Sequence, residues 1–304
     1  QNIRENEQMN TQRIKNSFSK VWNRFINIFF GFFMLVVLFI VMQVFCFSTF
    51  KIPSDSMAPE LITGDNVLVA KPVLGARLFN VFASLRGEQT EIWRVPGFRM
   101  VKRNDVLVFN FPHPNNWSKI EMHILKYYIK RCIALPGDTL SISKGYYRVS
   151  GVKENLGNFD LQRRLSLLPT SKIDPVVFSA FPYDSIMNWD IKDFGPLYIP
   201  KEGDKVVMNR INGIVYRKII EWEQHGKIRI EGNKVFLNEN LIQKYEFKKN
   251  YFFMAGDRIL DSQDSRYWGL LPEEYIVGKA WIVWKSIDKY SGAFRWNRFL
   301  KEIK

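Results

Sequence analysis

The stretch IPSDSMAPEL, residues 52–61, sets Ser54 and Ser56 on either side of Asp55 in a proline-bracketed turn. A serine hydroxyl is a poor nucleophile until a base takes its proton. Histidine is the usual base, and the chain has three: His113, His123 and His225. None stands in a triad motif and there is no G-x-S-x-G elbow, so all three read as ordinary loop histidines. A lysine can take the role if burial keeps its amine neutral. YYIKRCIALPGD, residues 127–138, places Lys130 beside Ile129, Ile133 and Leu135 in a strand-like run. Strand alternation sends Lys130 and Arg131 to opposite faces, one toward an apolar site and the other toward solvent or an acid. Taken alone, such a lysine is more often a surface residue. A third stretch, GDRILDSQDSRYWG at 256–269, gathers Asp257, Asp261, Ser262, Asp264, Ser265 and Arg266 in one loop. It reads either as a polar turn or as a scaffold that orients the lysine, and a bidentate Asp–Arg clamp suits both.

Several elements must position these residues. From Phe25 to Phe47 the sequence is FINIFFGFFMLVVLFIVMQVFCF, free of charge and interrupted mainly by Asn27 and Gln43. A helix needs about 20 apolar residues to cross a bilayer, which this run supplies. A cleaved signal peptide would have a shorter apolar core and a small-x-small site, so the span is read as retained. Arg13, Lys15, Lys20 and Arg24 precede it, whereas Lys51 is the only cation after it before Lys71. The positive-inside rule then puts residues 1–24 in the cytoplasm and residues 48 onward outside. Beyond the span the pattern is mostly β. DNVLVAK, NDVLVFNF, YYIKRCIAL and KAWIVWKSI read as strands, and Pro136-Gly137-Asp138 is a strong turn. KVFLNEN and GKIRIEGN look like hairpin material, FGPLYIPKEGD like a loop, and EIWRVPGFRM shows little alternation.

The chain has 304 residues, of which 46% are hydrophobic, and a net charge of +14. Disorder is thereby excluded over most of the length. A basic chain can meet nucleic acid or anionic lipid. No zinc spacing or Gly-rich phosphate loop occurs, so nucleic acid, metal and cofactor are not expected. Cys46 in the apolar run and Cys132 outside it are not expected to pair. Phe79, Phe82 and Trp93, and in the tail FRWNRFLKEIK Phe294, Trp296 and Phe299, suit a domain lying on lipid, with Arg295, Arg298, Lys301 and Lys304 adding attraction to anionic headgroups.

Taken together and in order, IPSDSMAPEL, GDNVLV, YIKRCIALPGD and GDRILDSQDSRYWG resemble the motif boxes of the type I signal peptidases, membrane-bound serine peptidases with a Ser/Lys dyad. NWDIKDFGPLYIPKEGD is similar to members from the Bacteroidetes group. The resemblance spans about residues 25–290. It implies a mainly β fold: a signal-peptidase-type catalytic domain (48–140 and 246–304) with an inserted β-rich region (141–245), preceded by one transmembrane helix (25–47). It implies Ser56 as nucleophile and Lys130 as general base. Ser54 and the Ser56 amide match the oxyanion hole, Ser262 the serine that hydrogen-bonds the lysine, and Asp264 and Arg266 the supporting pair. Ile52, Pro53, Leu61, Val67, Tyr128 and Ile129 match positions near shallow pockets for small substrate side chains. The implied partners are signal peptides of secretory preproteins, the phospholipid bilayer and the secretion translocon. The implied place is the bacterial inner membrane, with the catalytic domain on its outer face. A nucleophile a few residues past its own anchor meets a small-x-small site just outside the membrane. Two departures stand out. Arg258 and Ile259 occupy positions where the family usually has Asn and Arg, and Asp55 stands where Gly is frequent. They leave room for a catalytically silent, membrane-anchored scaffold.

Overall fold

The structure is a computed structural model that describes residues 2–86 and 90–304. It forms two compact units, 1–46 and 47–304. The first is helix α1, Asn2–Phe45. Its segment Lys20–Phe45 has a mean hydropathy of 2.8 and no buried share, so by length and composition it can cross a membrane. The apolar run outlasts the helix. Phe47 opens strand β1 (Phe47–Lys51) and pairs with Ala70, because a β-ladder there satisfies backbone groups that a helix end leaves open.

The second unit is built on one antiparallel sheet. Its strands are β1, β2 (Asp65–Ala70), β3 (Val106–Asn110), β4 (Tyr127–Ala134), β5 (Tyr251–Ala255) and β6 (Ile276–Ser286), in the spatial order β1-β2-β6-β3-β4-β5. Leu271–Pro272 extends the β5 edge, and Lys301–Glu302 pairs with β6. Period-two alternation divides the core into two layers. Val106 and Val108 of β3 face a cluster with Ile52, Met57, Leu61, Val67, Ile129 and Val283. Leu107 and Phe109 face the larger cluster, with Cys132, Ile133, Phe253 and Trp268. Both cysteines are free.

The middle of the chain holds more helix than a β-rich region implies. Helix α2, Arg210–Gln224, is capped by the Asn209 side chain and ends at His225 in the left-handed conformation. Its Val215, Tyr216, Ile219 and Ile220 are buried at helical spacing. Gly213 lets it lie close to the hairpin Ile228–Glu231/Lys234–Leu237, where an added Cβ would stand 2.9 Å from Val235. FGPLYIPKEGD is not simply a loop: Phe194–Tyr198 pairs with Thr139–Ser143, because Phe194 and Leu197 bury against the core while Pro196 lies on the exposed side. The tail is also corrected. Arg295, Arg298 and Lys301 are not free for lipid. They pair with Asp288, Asp65 and Glu60, local acids that satisfy them at 2.6, 2.5 and 3.2 Å.

Candidate active site

Ser56 lies in the turn between β1 and β2, and Lys130 lies on β4, an interior strand between β3 and β5. The chain brings them together across 74 residues, with Lys130 Nζ donating to Ser56 Oγ at 2.6 Å. Both are nearly sealed, Ser56 at 7% and Lys130 at 4% exposure. Burial pushes the Lys130 amine down to about 8, and the Asp264 carboxylate opposes part of that fall. At pH 7 roughly a tenth of molecules then hold the amine neutral, against about one in 3,000 at the ordinary value. Tyr128 walls the site. Its ring lies 5.4 Å from Nζ, stacks on Phe111 at 4.3 Å, and its hydroxyl donates to Gln263 at 3.2 Å.

Alternation on β4 sends Arg131 the other way, and it meets an acid. Its Nε and Nη2 donate to Asp257 at 2.7 and 2.6 Å. Adjacent residues of one strand thus hold both the Ser56 turn and the start of the 256–269 loop. That loop is organised on Asp264, which is fully buried. Its carboxylate accepts from Gly256 N at 2.8 Å, Ser262 Oγ at 2.7 Å, and Arg266 Nε and Nη2 at 2.8 and 2.5 Å. The loop also grips the Ser56 turn directly, through Arg258 N donating to Ser56 O at 3.0 Å. Gly256 makes this approach possible. A Cβ there would stand 2.1 Å from Ser262 Oγ and 2.8 Å from Ser56 O. The sequence reading passes over Gly256, whose signal is a glycine directly ahead of the Asp257 clamp.

Ser262 lies beside the Ser56–Lys130 pair but hydrogen-bonds Asp264, and among the described residues no bond joins it to Lys130. Its link toward the amine is the Asp264 carboxylate, which acts electrostatically on Lys130. Ser262→Ala should lower kcat about tenfold to a hundredfold with KM within about twofold, as measured on a preprotein substrate. Unchanged kinetics would make the hydroxyl purely structural.

The departures from the family pattern now have physical accounts. Asp55 turns its carboxylate into its own loop, accepting from Thr63 N at 2.7 Å and Thr63 Oγ1 at 2.9 Å. The Thr63 amide is the main cause of its lowered pKa. Arg258 pairs with Asp261 at 3.4 Å in solvent, which contributes little. Ile259 is buried with Leu165, Ile173, Ile191 and Tyr267. An arginine would be a poor fit there, because the middle region covers this side of the loop. Further ties run from the same region: Phe181 N donates to Arg266 O at 2.7 Å, and Tyr267 Oη to Val177 O at 2.8 Å.

The remaining residues divide. Ser54 and Pro53 are exposed on the turn. Ile129 is buried and Tyr128 is half-buried, while Ile52, Leu61 and Val67 are sealed in the core. The histidines have structural surroundings. His113 is buried with Nδ1 2.6 Å from Lys119 O, and burial pushes it down to about 4. His123 accepts from Leu125 N, and His225 ends α2.

The family described as "Signal peptidase, peptidase S26" matches residues 24–180 and 199–285. The chain belongs to this family. Signal peptidase I of Buchnera aphidicola subsp. Schizaphis graminum is 27% identical over 263 residues, covering 82% of this chain and 71% of that protein. The enzyme of the same name from subsp. Acyrthosiphon pisum is 28% identical over 300 residues, covering 93% and 82%. Among solved structures, a signal peptidase I from Enterococcus faecalis is 17% identical, covering 60% of this chain and 97% of that one, with a TM-score of 0.29. The family match skips 181–198, the stretch that begins with Phe181, which donates to Arg266 O on the 256–269 loop.

Proposed function

We propose that this S26 peptidase removes signal peptides from secretory preproteins with a Ser56/Lys130 dyad, cutting after small-x-small sites. The observation that carries the reading is the buried 2.6 Å contact between a serine and a lysine of lowered pKa. With Lys130 neutral, the Ser56 hydroxyl donates its proton to Nζ as Oγ attacks the scissile carbonyl. The developing oxyanion is met by the Ser56 N–H and by the Ser54 hydroxyl, which is exposed on the same turn. Lys130 then protonates the leaving amine. A water, deprotonated by the same amine, hydrolyses the acyl-enzyme. Asp264 and Arg266 hold the loop that braces this geometry.

Helix α1 supports membrane anchoring as a single pass, and the cations ahead of it favour a cytoplasmic start with the catalytic unit outside. Phe82, Trp93 and Trp296 are 75%, 64% and 75% exposed, and Trp296 clusters with Phe294 and Phe299, aromatic groups suited to the bilayer interface or to a translocon beside it. Since three tail cations are paired, contact with lipid is aromatic more than electrostatic. The test is cleavage of a preprotein with a small-x-small site by the full chain in detergent micelles. A product cut at that site supports the reading, and no turnover by a folded wild type sinks it in favour of a silent scaffold.

A further inference from the structure

Ser56 sits on a turn and not within a strand, yet its Oγ must stay within a few tenths of an ångström of Lys130 for proton transfer. Something has to stiffen residues 57–65. Local bonds supply part of this: Ala58 N donates to Asp55 O at 2.8 Å, Leu61 N to Met57 O at 3.0 Å, Gly64 N to Ile52 O at 3.1 Å, Ile62 N to the Asp65 carboxylate at 2.9 Å and Thr63 N to the Asp55 carboxylate at 2.7 Å. The outward carbonyls are taken instead by cations from 295–304. Glu60 O accepts from Arg298 Nη2 and from Lys301 Nζ, each at 2.9 Å. Thr63 O accepts from Arg295 Nη1 at 2.9 Å. Asp65, with no exposed surface, accepts Arg298 Nε at 2.8 Å and Ser286 Oγ at 2.7 Å. Lys301 also pairs with the Glu60 carboxylate at 3.2 Å, and Lys304 N donates to it at 3.1 Å. Ile303 packs in the same apolar cluster as Met57 and Leu61. Gly64 closes the contact, since a Cβ there would stand 2.0 Å from Ile287 O.

We propose that segment 295–304 is a cationic strap that positions the nucleophile turn, with Arg298 and Lys301 as positioning residues acting on Ser56 through Glu60 and Asp65. The proposal rests on Ser56 being the nucleophile. Among the described residues no hydrogen bond or ion pair joins the strap to Ser56 or Lys130, so it shapes geometry and leaves the chemistry of the amine alone. Charge-assisted bonds to two carbonyls and a buried carboxylate are strong, and they hold the outward side of the turn that its local bonds do not reach.

The test compares full-length wild type, Arg298→Gln, Arg298→Lys, Lys301→Gln and, as a control, Arg217→Gln on the exposed side of α2, all in detergent micelles with a preprotein substrate. Arg298→Gln should lower kcat about ten- to a hundredfold with KM within about twofold, the size expected of a displaced reacting group. The acid limb of the pH–rate profile should stay at the wild-type pH, since the surroundings of Lys130 are intact. Arg298→Lys should recover part of the rate, because a lysine can reach Glu60 O but cannot fork onto Asp65. Should Arg298→Gln fail to fold, Lys301→Gln carries the test with an expected loss of about threefold to tenfold in kcat. Wild-type kcat per folded molecule in these variants would overturn the strap. Ser56→Ala in parallel separates the two ideas: an active Ser56→Ala defeats the dyad reading, while an inactive Ser56→Ala beside a fully active Arg298→Gln defeats only the strap.

Discussion

Ser56→Ala and Lys130→Ala should each cut preprotein processing by about four orders of magnitude or more, and the double variant should lose no more than either single one. Groups that act as a unit give such non-additive losses. Lys130→Arg should be as inactive as Lys130→Ala, because a guanidinium stays protonated and cannot take the serine proton. The structure narrows the alternatives. With His113 buried against a carbonyl and His225 closing a helix, neither is placed as a reserve base by its own contacts. Substantial processing by Lys130→Ala, measured as product per hour over a no-enzyme blank, would show that another group is the base.

Breaking the Asp264–Arg266 pair should have the largest effect on stability. Both side chains are fully buried, and Arg266 donates twice to the carboxylate. Asp264→Asn strands a guanidinium, and Arg266→Leu strands a carboxylate. Removing one partner of a buried pair costs about 3–5 kcal/mol, because the other charge is left without compensation. Asp264 also accepts from Gly256 and Ser262, so its loss loosens the loop that holds Ser56 O. Chemical unfolding in micelles should show a markedly lower midpoint for both variants, with activity lost at temperatures the wild type survives. A midpoint within error of wild type would mean that the loop is held by the middle region alone.

The serine and the lysine are legible in the sequence because each sits in a short stretch whose local chemistry is already unusual: two serines on a proline turn, and a lysine among Ile129, Ile133 and Leu135. Alternation on β4 also foretells that Lys130 and Arg131 part ways, and Asp257 supplies the acid. What escapes local reading depends on distant contacts. Tail cations look like lipid-binding groups until Asp65 appears 233 residues away from Arg298. Ile259 looks like a defect in a polar loop until Leu165, Ile173 and Ile191 cover it. Helix α2 is hidden because its buried positions include Gly213 and Tyr216, which blur the apolar period, and because turn-forming Asn209 and Asn212 stand at its start. Leu61 and Val67 match pocket positions by motif, yet in this chain they are sealed core residues.

Action of Lys130 as a neutral amine is tested most directly by the pH dependence of kcat/KM. The base must be deprotonated, so the rate should be full above its pKa and fall as pH drops through it. With burial holding the amine near 8, the acid limb of wild type should have a slope of one in log units and bend near pH 8. Full activity down to pH 6, or a limb at the ordinary histidine value, would contradict Lys130 as the base.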